Sequence, residues 1–331
     1  MNKKNVIIDC DPGIDDALAI MLALASPELK VLGITVTAGN APLEMGCGNA
    51  GKVLRFCGRM DIPVFAGEEK PLSKPYRNAL DTHGADGLGE SFLPVPAGFR
   101  VQDEPAVDFL AETLAQGGVS VIALGPLTNL AKLIQKDKNA FGKIERLVSM
   151  GGNFRSYGNC SPVAEYNYWE DPEAAALVFD TLAQQGGQIE MAGLDVTRKI
   201  VLTPTMLSYI TRLDEKTGDF IQKITKYYMH FHWVWEHLIG CVINDPLAVA
   251  QFLDPAILSG FDAYTAIQTD GPARGETVVD EKGFYKRSAN ARVYTRVDVR
   301  RFWHLFLGRI LRRPDEQLDL IDSILHEEEQ S

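Results

Sequence analysis

Four aspartates lie close together near the start of the chain, in the stretch VIIDCDPGIDDALAI at 6–20. Asp9 and Asp11 end an apolar run and are two positions apart, so the alternation of a strand directs them to the same side. Like charges at a buried strand end repel each other unless they are protonated or paired with a cation. Because no Lys or Arg lies between Lys4 and Lys30, a metal ion is the natural counter-charge. Ligation by oxygen alone favours Ca²⁺ or Mg²⁺ over zinc.

Two other interpretations of this stretch compete with the metal site. Asp15 and Asp16 suit the start of a helix, where acidic side chains accept backbone N–H bonds and lie at the positive end of the helix dipole. An apolar strand ending in D-x-D also opens the metal-dependent phosphohydrolases of the haloacid dehalogenase class. That pattern has Thr or Val where this chain has Gly13, and it leaves the second pair of aspartates unexplained. We therefore favour the metal site.

The elements that must position these aspartates alternate along the chain. Short β-rich runs are followed by helical patterns, beginning with VIID and DDALAIMLALA, and QIEMAGL supplies a further strand. This alternation predicts an α/β fold with an open, mostly parallel, doubly wound sheet and helices on both faces. In such a sheet, ligands bind beyond the carboxyl ends of the strands. We therefore expect the acidic stretch to meet Asn40, the segment 124–129 and the segment 150–153.

The C-terminal part of the chain has a different pattern. Residues 261–297 are rich in β-formers, and TDGPARGETVVD predicts a strand, a turn and a strand that form a small antiparallel addition to the sheet. The amphipathic pattern of VRRFWHLFLGRILRR predicts a helix that closes the core. Because no repeat, low-complexity tract or linker divides the sequence, we expect one domain over 1–331.

Composition and charge exclude several classes of function. The net charge of −11 disfavours nucleic acid and anionic membranes as partners, since an acidic surface does not attract a polyanion. The longest apolar run, ALAIMLALA, is about half the length of a membrane span. The five cysteines are scattered and contain no CxxC pair, so neither a disulfide framework nor a thiolate zinc site is indicated. We expect a cytoplasmic protein that acts on a small molecule.

The acidic stretch resembles the signature of the inosine-uridine-preferring nucleoside hydrolases, whose members carry D-x-D-P-G-x-D-D at the end of the first strand. Further matches keep the family's order and spacing: THG at 82–84, LGPLTNLA at 124–131, SMGGN at 149–153, GNCSPVAEYN at 158–167, LDVT at 194–197 and NDPLAVA at 244–250. The resemblance implies the nucleoside hydrolase fold, a tightly bound Ca²⁺, a homodimer or homotetramer, and hydrolysis of the N-glycosidic bond of ribonucleosides to free base and ribose.

The same resemblance assigns roles to individual residues. It places Ca²⁺ between the carboxylates of Asp11, Asp16 and Asp245 and the backbone carbonyl of Leu124. The ion acidifies a water molecule, which Asp11 activates as general base for attack on the anomeric carbon. A site crowded with acids also stabilises the positive charge that develops on the sugar. The residues that the resemblance assigns to ribose binding are Asp15, Asn40, Met150, Asn159, Glu165 and Asn167.

The resemblance fails at one position. Many members have His directly before the last metal-binding Asp, where it is thought to protonate the leaving base, and this chain has Asn244. A neutral Asn cannot act as a general acid near neutral pH. Asn244 is therefore expected to contact the substrate in another role.

Two histidines are candidates for the missing acid. His83 lies in the matching THG segment, and imidazole titrates near physiological pH. His232 recurs with Tyr228 and Glu236 every four residues in KITKYYMHFHWVWEHLIG, which places them on one helix face. Core packing is the plainer explanation for aromatic residues at helical spacing, so both histidines stand as hypotheses.

The leaving base also needs a binding surface. Tyr228 lies on the face described above, and Trp233 or Trp235 would stack on a purine or pyrimidine. A chain without a leaving-group acid would bind a nucleoside and turn it over weakly. The sequence thus predicts a calcium-dependent ribonucleoside hydrolase, with a metal-dependent phosphohydrolase and a weakly active nucleoside-binding protein as alternatives.

Overall fold

A nine-stranded sheet lies at the centre of the computed structural model, which describes residues 3–318 and 320–330. The described residues form eleven strands, nine of which belong to this sheet. They are β1 (Lys4–Cys10), β2 (Leu29–Val36), β3 (Val64–Ala66), β4 (Val119–Ala123), β5 (Ile144–Met150), β6 (Ile189–Ala192), β7 (Val201–Leu202), β8 (Cys241–Val242), β9 (Leu258–Ile267), β10 (Thr277–Asp280) and β11 (Ala291–Val297).

Helices connect and cover these strands. They are α1 (Ile14–Ala25), α2 (Leu43–Cys57), α3 (Leu80–His83), α4 (Ala106–Ala115), α5 (Thr128–Lys136), α6 (Lys138–Phe141), α7 (Tyr166–Glu170), α8 (Pro172–Gln185), α9 (Leu194–Thr197), α10 (Pro204–Leu213), α11 (Glu215–Glu236), α12 (Asp245–Leu253), α13 (Val299–Ile310) and α14 (Ile321–Gln330).

The strand order confirms the predicted fold class. The sheet runs β10-β9-β11-β6-β5-β4-β1-β2-β3, and all pairs from β11 to β3 are parallel. β9 pairs antiparallel with both β10 and β11, which gives the small antiparallel addition expected near the C-terminus. β7 and β8 form a separate antiparallel pair. Strand direction therefore reverses at β9, which lies between β11 and β10 in the sheet.

Apolar side chains on both sides of the sheet explain this layered arrangement. In β1, Val6 and Ile8 pack into the core cluster that contains α1, while Ile7 packs into the cluster on the opposite face. A strand that is buried on both faces reads as a continuous apolar run, as VII does here. The amphipathic helix α13 packs against α1 and α12, as the C-terminal pattern predicted. β3 and α4 carry no clear pattern in the sequence and were not predicted.

The carboxyl ends of the parallel strands meet at one edge of the sheet. Asp9 at the end of β1 pairs in register with Thr35 of β2 and Ala123 of β4. The backbone N–H of Leu124 continues this register beyond β4 and donates to the Asp9 carbonyl at 2.7 Å. The acidic stretch and the start of LGPLTNLA are therefore neighbours, as predicted.

Among the described helices, none is both long enough and apolar enough to cross a membrane.

Candidate active site

The acidic stretch turns from β1 into α1 through Pro12 and Gly13, and Asp16 holds this turn. Its Oδ2 accepts the Gly13 N–H at 2.9 Å, and its Oδ1 accepts the Asp11 N–H at 3.2 Å. The side-chain amide of Asn40 adds a third donor, 3.1 Å from Oδ2. The capping interpretation is thus correct for Asp16. It leaves the other three aspartates to be explained.

Asp15 faces a different segment from Asp16. Its Oδ2 lies 3.1 Å from Nδ2 of Asn244 and 3.3 Å from the backbone N of the same residue. Asn244 immediately precedes α12, which packs against α1 and begins with Asp245. The contact between these two helices therefore carries Asp245 to the acidic stretch from more than 200 positions away in the sequence.

The carboxylate of Asp11 is enclosed by backbone. Its Oδ2 accepts the backbone N–H of Asn40 at 2.7 Å, while Oδ1 is buried and has no hydrogen-bond partner within the described part of the chain. A Cβ at Gly39 would lie 2.0 Å from Oδ2, and a Cβ at Gly125 would lie 2.6 Å from Oδ1. Both positions require glycine because the carboxylate fills the space that a side chain would occupy.

Three buried carboxylates converge on one point. One oxygen each from Asp15, Asp16 and Asp245 lies within 4.8 Å of the others, as metal ligands would. This set contains Asp15, which the sequence assigned to the ribose, in place of Asp11, which it assigned to the ion. Asp11 lies beside the set through its bond to Asp16. The Leu124 carbonyl accepts the side-chain amide of Asn167 at 2.7 Å.

The carboxylates of this cluster lie close to one another in a buried position. Burial raises the pKa of Asp11 well above its ordinary value, and the nearby Asp16 raises it further. Burial also raises the pKa of Asp245, and Asp15, Asp16 and Asp11 add to the effect. The strongest influences on these carboxyls are thus burial and one another, a situation that a bound cation would relieve. A donor set of carboxylates and a carbonyl matches a hard divalent ion such as Ca²⁺.

Asp9 lies beneath this cluster and is fully buried. Its Oδ1 accepts the Thr35 hydroxyl at 2.5 Å and the Asn129 side-chain amide at 2.8 Å, while its Oδ2 is buried without a partner among the described residues. Burial raises the pKa of Asp9 to about 6. Through its backbone carbonyl it holds Leu124, so it positions a neighbour of Asp11.

A cavity of about 530 Å³ opens above the cluster. Most of the residues predicted from the sequence line it: Asp15, Asn40, His83, Leu124, Met150, Asn159, Glu165, Asn167, Tyr228, His232, Asn244 and Asp245. Asp11 and Asp16 are buried beneath this lining. The prediction that Trp233 contacts the base is not supported, since Trp233 points away and its ring packs against His237. Trp235 lines the cavity instead.

Polar side chains on the ribose side are held by backbone contacts. Glu165 directly precedes α7 as its N-cap and accepts the N–H groups of Asn167 and Gly152, each at 2.8 Å. Burial raises the pKa of Glu165 to about 7. The Oδ1 of Asn159 accepts the Tyr166 N–H at 2.9 Å, so its orientation is fixed as well. Turn chemistry therefore places these residues, and their position in the cavity makes them available to a polyol.

The two candidate histidines differ in their hydrogen bonds. His83 accepts the Ile14 N–H at Nδ1, 3.2 Å away, so we assign its proton to Nε2. His232 has Nδ1 2.9 Å from the Tyr228 carbonyl, which can only accept, so Nδ1 carries the proton. Nε2 of His232 can therefore take a second proton without losing a bond. Burial lowers the pKa of both imidazoles.

Sequence reasoning missed a cluster at the far end of the cavity. The guanidinium of Arg198 lies 4.0 Å from the centre of the Tyr157 ring and donates to Glu236 at 3.3 Å and to the Gly158 carbonyl at 3.1 Å. Asp195 accepts backbone N–H groups from the segment 154–156 that leads into this cluster. The matched LDVT segment contains Asp195 and precedes Arg198, so the sequence marked the segment but not its role.

Known proteins resemble this chain over nearly its whole length. The sequence profile of the inosine-uridine preferring nucleoside hydrolase family matches residues 6–304. A pyrimidine-specific ribonucleoside hydrolase, RihA of Shewanella sp. strain ANA-3, is 37% identical over 314 residues, which cover 93% of this chain and 96% of that protein.

Solved structures share the fold. A plant nucleoside hydrolase has a TM-score of 0.87 at 32% identity and covers 93% of this chain and 99% of its own. A purine-preferring ribonucleoside hydrolase from Gardnerella vaginalis has a TM-score of 0.86 at 32% identity and covers 93% of this chain and 98% of its own.

Proposed function

The chain belongs to the inosine-uridine preferring nucleoside hydrolase family and is an N-ribosyl hydrolase, and on this premise we propose that it cleaves ribonucleosides with the help of a bound Ca²⁺. The observation that carries the proposal is the convergence of the carboxylates of Asp15, Asp16 and Asp245 in a buried position. Family membership also disfavours the phosphohydrolase interpretation of the D-x-D pair.

The residues that would hold the ion are Asp11, Asp16, Asp245 and the Leu124 carbonyl, with Asp15 completing the set at the cavity surface. When bound, calcium supplies the positive charge that allows these carboxylates to ionise together and that lowers the pKa of nearby water.

Asp11 is the residue best placed to accept a proton. The Asn40 N–H fixes its Oδ2, while Oδ1 is free of protein donors and so keeps its lone pairs for a water molecule. A carboxylate in this role contributes about 10²- to 10⁴-fold to the rate. Backbone atoms hold the Asp11 carboxylate, and they cannot move to another rotamer as a side-chain partner could.

The remaining cavity residues suit a ribose and its transition state. Asn40 and Asn167 lie beside the acidic cluster, and Asn159 and Glu165 lie further along the cavity, where they would bind the ring hydroxyls and the 5'-hydroxyl. Positive charge develops on the sugar as the N-glycosidic bond breaks, and surrounding carboxylates stabilise it.

We assign the leaving-group acid to His232 rather than His83. Protonation of His232 at Nε2 keeps its bond to the Tyr228 carbonyl, whereas protonation of His83 at Nδ1 would break its bond to the Ile14 N–H. His83 then serves as a neutral donor through Nε2. A second candidate function, nucleoside binding with weak turnover, follows from Asn244, because the family resemblance implies His at this position.

Two further proposals concern the oligomeric state and the cellular compartment of the protein. The family resemblance supports a homodimer or homotetramer. All five cysteines are free, which suits a reducing compartment such as the cytoplasm.

A nucleoside panel tests the proposal directly. The purified protein is incubated with uridine, cytidine, inosine and adenosine, first as prepared, then after chelation, and then with Ca²⁺ restored. We expect ribose release from at least one nucleoside, its loss on chelation and its return with Ca²⁺. Release that is unaffected by chelation would contradict the calcium dependence, and tight binding without release would favour the weakly active binding protein.

A further inference from the structure

The peptide unit between Gly39 and Asn40 has both of its polar groups engaged at the site. Its N–H, on Asn40, donates to Oδ2 of Asp11 at 2.7 Å. Its carbonyl, on Gly39, accepts from two phenol hydroxyls: that of Tyr166 at 2.8 Å and that of Tyr76 at 3.0 Å. A single rigid plane therefore links two tyrosine hydroxyls to the proposed general base.

The two tyrosines come from separate parts of the chain. Tyr76 lies in the connection between β3 and α3, and Tyr166 is the first residue of α7 within the GNCSPVAEYN motif. The Tyr166 hydroxyl also lies 2.7 Å from the Arg77 carbonyl, so its one proton can be donated to either acceptor. Both segments thus converge on the turn that follows β2.

The geometry explains why this turn would need two donors. Gly39 has no side chain to restrict its peptide plane, and none can be added because a Cβ there would collide with Oδ2 of Asp11. The hydrogen bonds of this peptide therefore help to hold its plane, together with the Asn40 side chain, which donates to Asp16, and the Asn40 carbonyl, which accepts from the Ala79 N–H. Donors on a peptide carbonyl also polarise the N–H of the same unit and strengthen the bond that it donates.

We propose that Tyr76 and Tyr166 are positioning residues for the hydrolysis, because their hydroxyls hold the 39–40 peptide in the orientation that fixes Oδ2 of Asp11 and leaves Oδ1 free. The proposal rests on the proposed function only through the role of Asp11 as general base. The tyrosines act through the peptide and make no contact with the reacting atoms.

Removal of the hydroxyls tests the link. In the variant Tyr76→Phe/Tyr166→Phe the Gly39 carbonyl loses both donors while the rings keep their packing. Each lost bond lowers the rate by a few-fold, so we expect kcat on an accepted nucleoside to fall roughly tenfold, with a smaller change in KM and smaller losses in the two single variants.

A second readout does not depend on turnover. Glycine labelled with ¹³C at the carbonyl and asparagine labelled with ¹⁵N select four peptide pairs in this sequence, Gly39–Asn40, Gly48–Asn49, Gly152–Asn153 and Gly158–Asn159. In the metal-free protein we expect the Asn40 amide proton to move upfield and to exchange faster in the double variant. The Asn49 amide serves as the internal reference.

Tyr294→Phe is the matched control. Its hydroxyl donates to Glu190 at 2.6 Å between β11 and β6, so its loss also removes a partly buried tyrosine bond without touching the 39–40 peptide. We expect the control to lower the melting temperature without changing kcat or the Asn40 amide.

Three results would overturn the proposal. These are an unchanged Asn40 amide in the double variant, a shifted amide with unchanged kcat, and an equal loss of kcat in Tyr294→Phe, which would mark a general effect of stability. If the wild-type protein releases no ribose at all, the proposed function fails, and the amide measurement still tests whether the tyrosines hold the peptide.

Discussion

Two regions of the cavity are built in opposite ways. The acidic cluster, formed by Asp11, Asp15, Asp16 and Asp245, is buried, and four of its eight carboxylate oxygens accept N–H groups of the described residues. The base-side wall consists of His83, Tyr228, His232, Trp235 and Glu236. Most of it comes from the last turns of α11, where exposure rises to 72% at Trp235.

This difference indicates that the acidic cluster binds the ribose and the base-side wall binds the base. The ribose is common to all ribonucleosides, so the residues that would bind it can be fixed by backbone. A base varies in size and in hydrogen-bonding groups, and the end of a surface helix tolerates substitution. The names of the relatives include both a pyrimidine-specific and a purine-preferring enzyme, so base preference differs among proteins that resemble this chain.

The acidic cluster predicts the largest effect. Asp11→Ala should lower kcat about 10³-fold, because the proposed base is lost. The measurement is ribose release at saturating Ca²⁺, so that weaker metal binding does not limit the rate. Asp11→Asn, which keeps the shape and the acceptor for the Asn40 N–H, should be almost as impaired. Retention of most activity in either variant would remove Asp11 as the base.

The base-side wall predicts a smaller and substrate-dependent effect. His232→Ala should lower kcat on ordinary nucleosides about 10²-fold and much less on nitrophenyl riboside, whose leaving group needs no proton. His83→Ala should show a weaker discrimination between the two substrates, because His83 acts only as a neutral donor. Equal losses of His232→Ala on both substrates would reject acid catalysis by this residue.

The same residue predicts a pH dependence. Burial lowers the pKa of His232 from its ordinary 6.5, while the Tyr228 carbonyl and Glu236 favour the charged form. An acid must be protonated to act, so kcat should fall as the pH rises through this lowered pKa. A pH profile of kcat checks this, and the falling limb should be absent in His232→Ala. A wild-type profile without this limb would contradict the assignment.

Below the cluster, Asp9 predicts an effect on stability. Burial raises its pKa from 3.8 to about 6, so the unfolded chain releases the proton first as the pH rises. The free energy of unfolding of the metal-free protein should therefore fall between about pH 4 and pH 6, by about 3 kcal/mol from this group. Asp9→Asn keeps the acceptor for Thr35 and Asn129 and should flatten that slope. Urea denaturation at several pH values measures this slope of the free energy of unfolding. An unchanged slope in Asp9→Asn would contradict the raised pKa of Asp9.

Two tryptophans of one helix predict the smallest effect. Trp235 lines the cavity, whereas Trp233 packs against His237 outside it. Loss of stacking on a base is worth about 1 to 3 kcal/mol, so Trp235→Ala should raise KM roughly tenfold. Trp233→Ala is the matched control and should leave KM unchanged. A raised KM in Trp233→Ala together with an unchanged KM in Trp235→Ala would show that Trp233, and not Trp235, contacts the base.

The sequence predicted the two regions with different success. The strand ends of the acidic cluster followed from the alternation of β1, α1, β2 and α2, because buried strands and their turns are encoded locally. The far contribution of Asp245 required the family resemblance, since the contact between α1 and α12 has no local signal. The converging set contains Asp15 where the sequence predicted Asp11, and this difference depends on tertiary packing.

Helical geometry explains why Trp235 lines the cavity and Trp233 does not. Successive residues of a helix are 100° apart, so His232 and Trp235 share the face of Tyr228, and Trp233 turns away. The spacing alone would have selected Trp235. The contact of Arg198 with Tyr157 joins two irregular segments, and no periodicity predicts such a pair.

Calorimetric titration of the metal-free protein with Ca²⁺, in wild type and in Asp245→Asn, tests the central claim most directly. The account predicts one calcium site per chain in the wild type and a loss of affinity of about 100-fold or more in the variant, in which one carboxylate of the converging set is removed. A wild-type protein that binds no Ca²⁺, or a variant that binds it with unchanged affinity, would contradict the proposed calcium site.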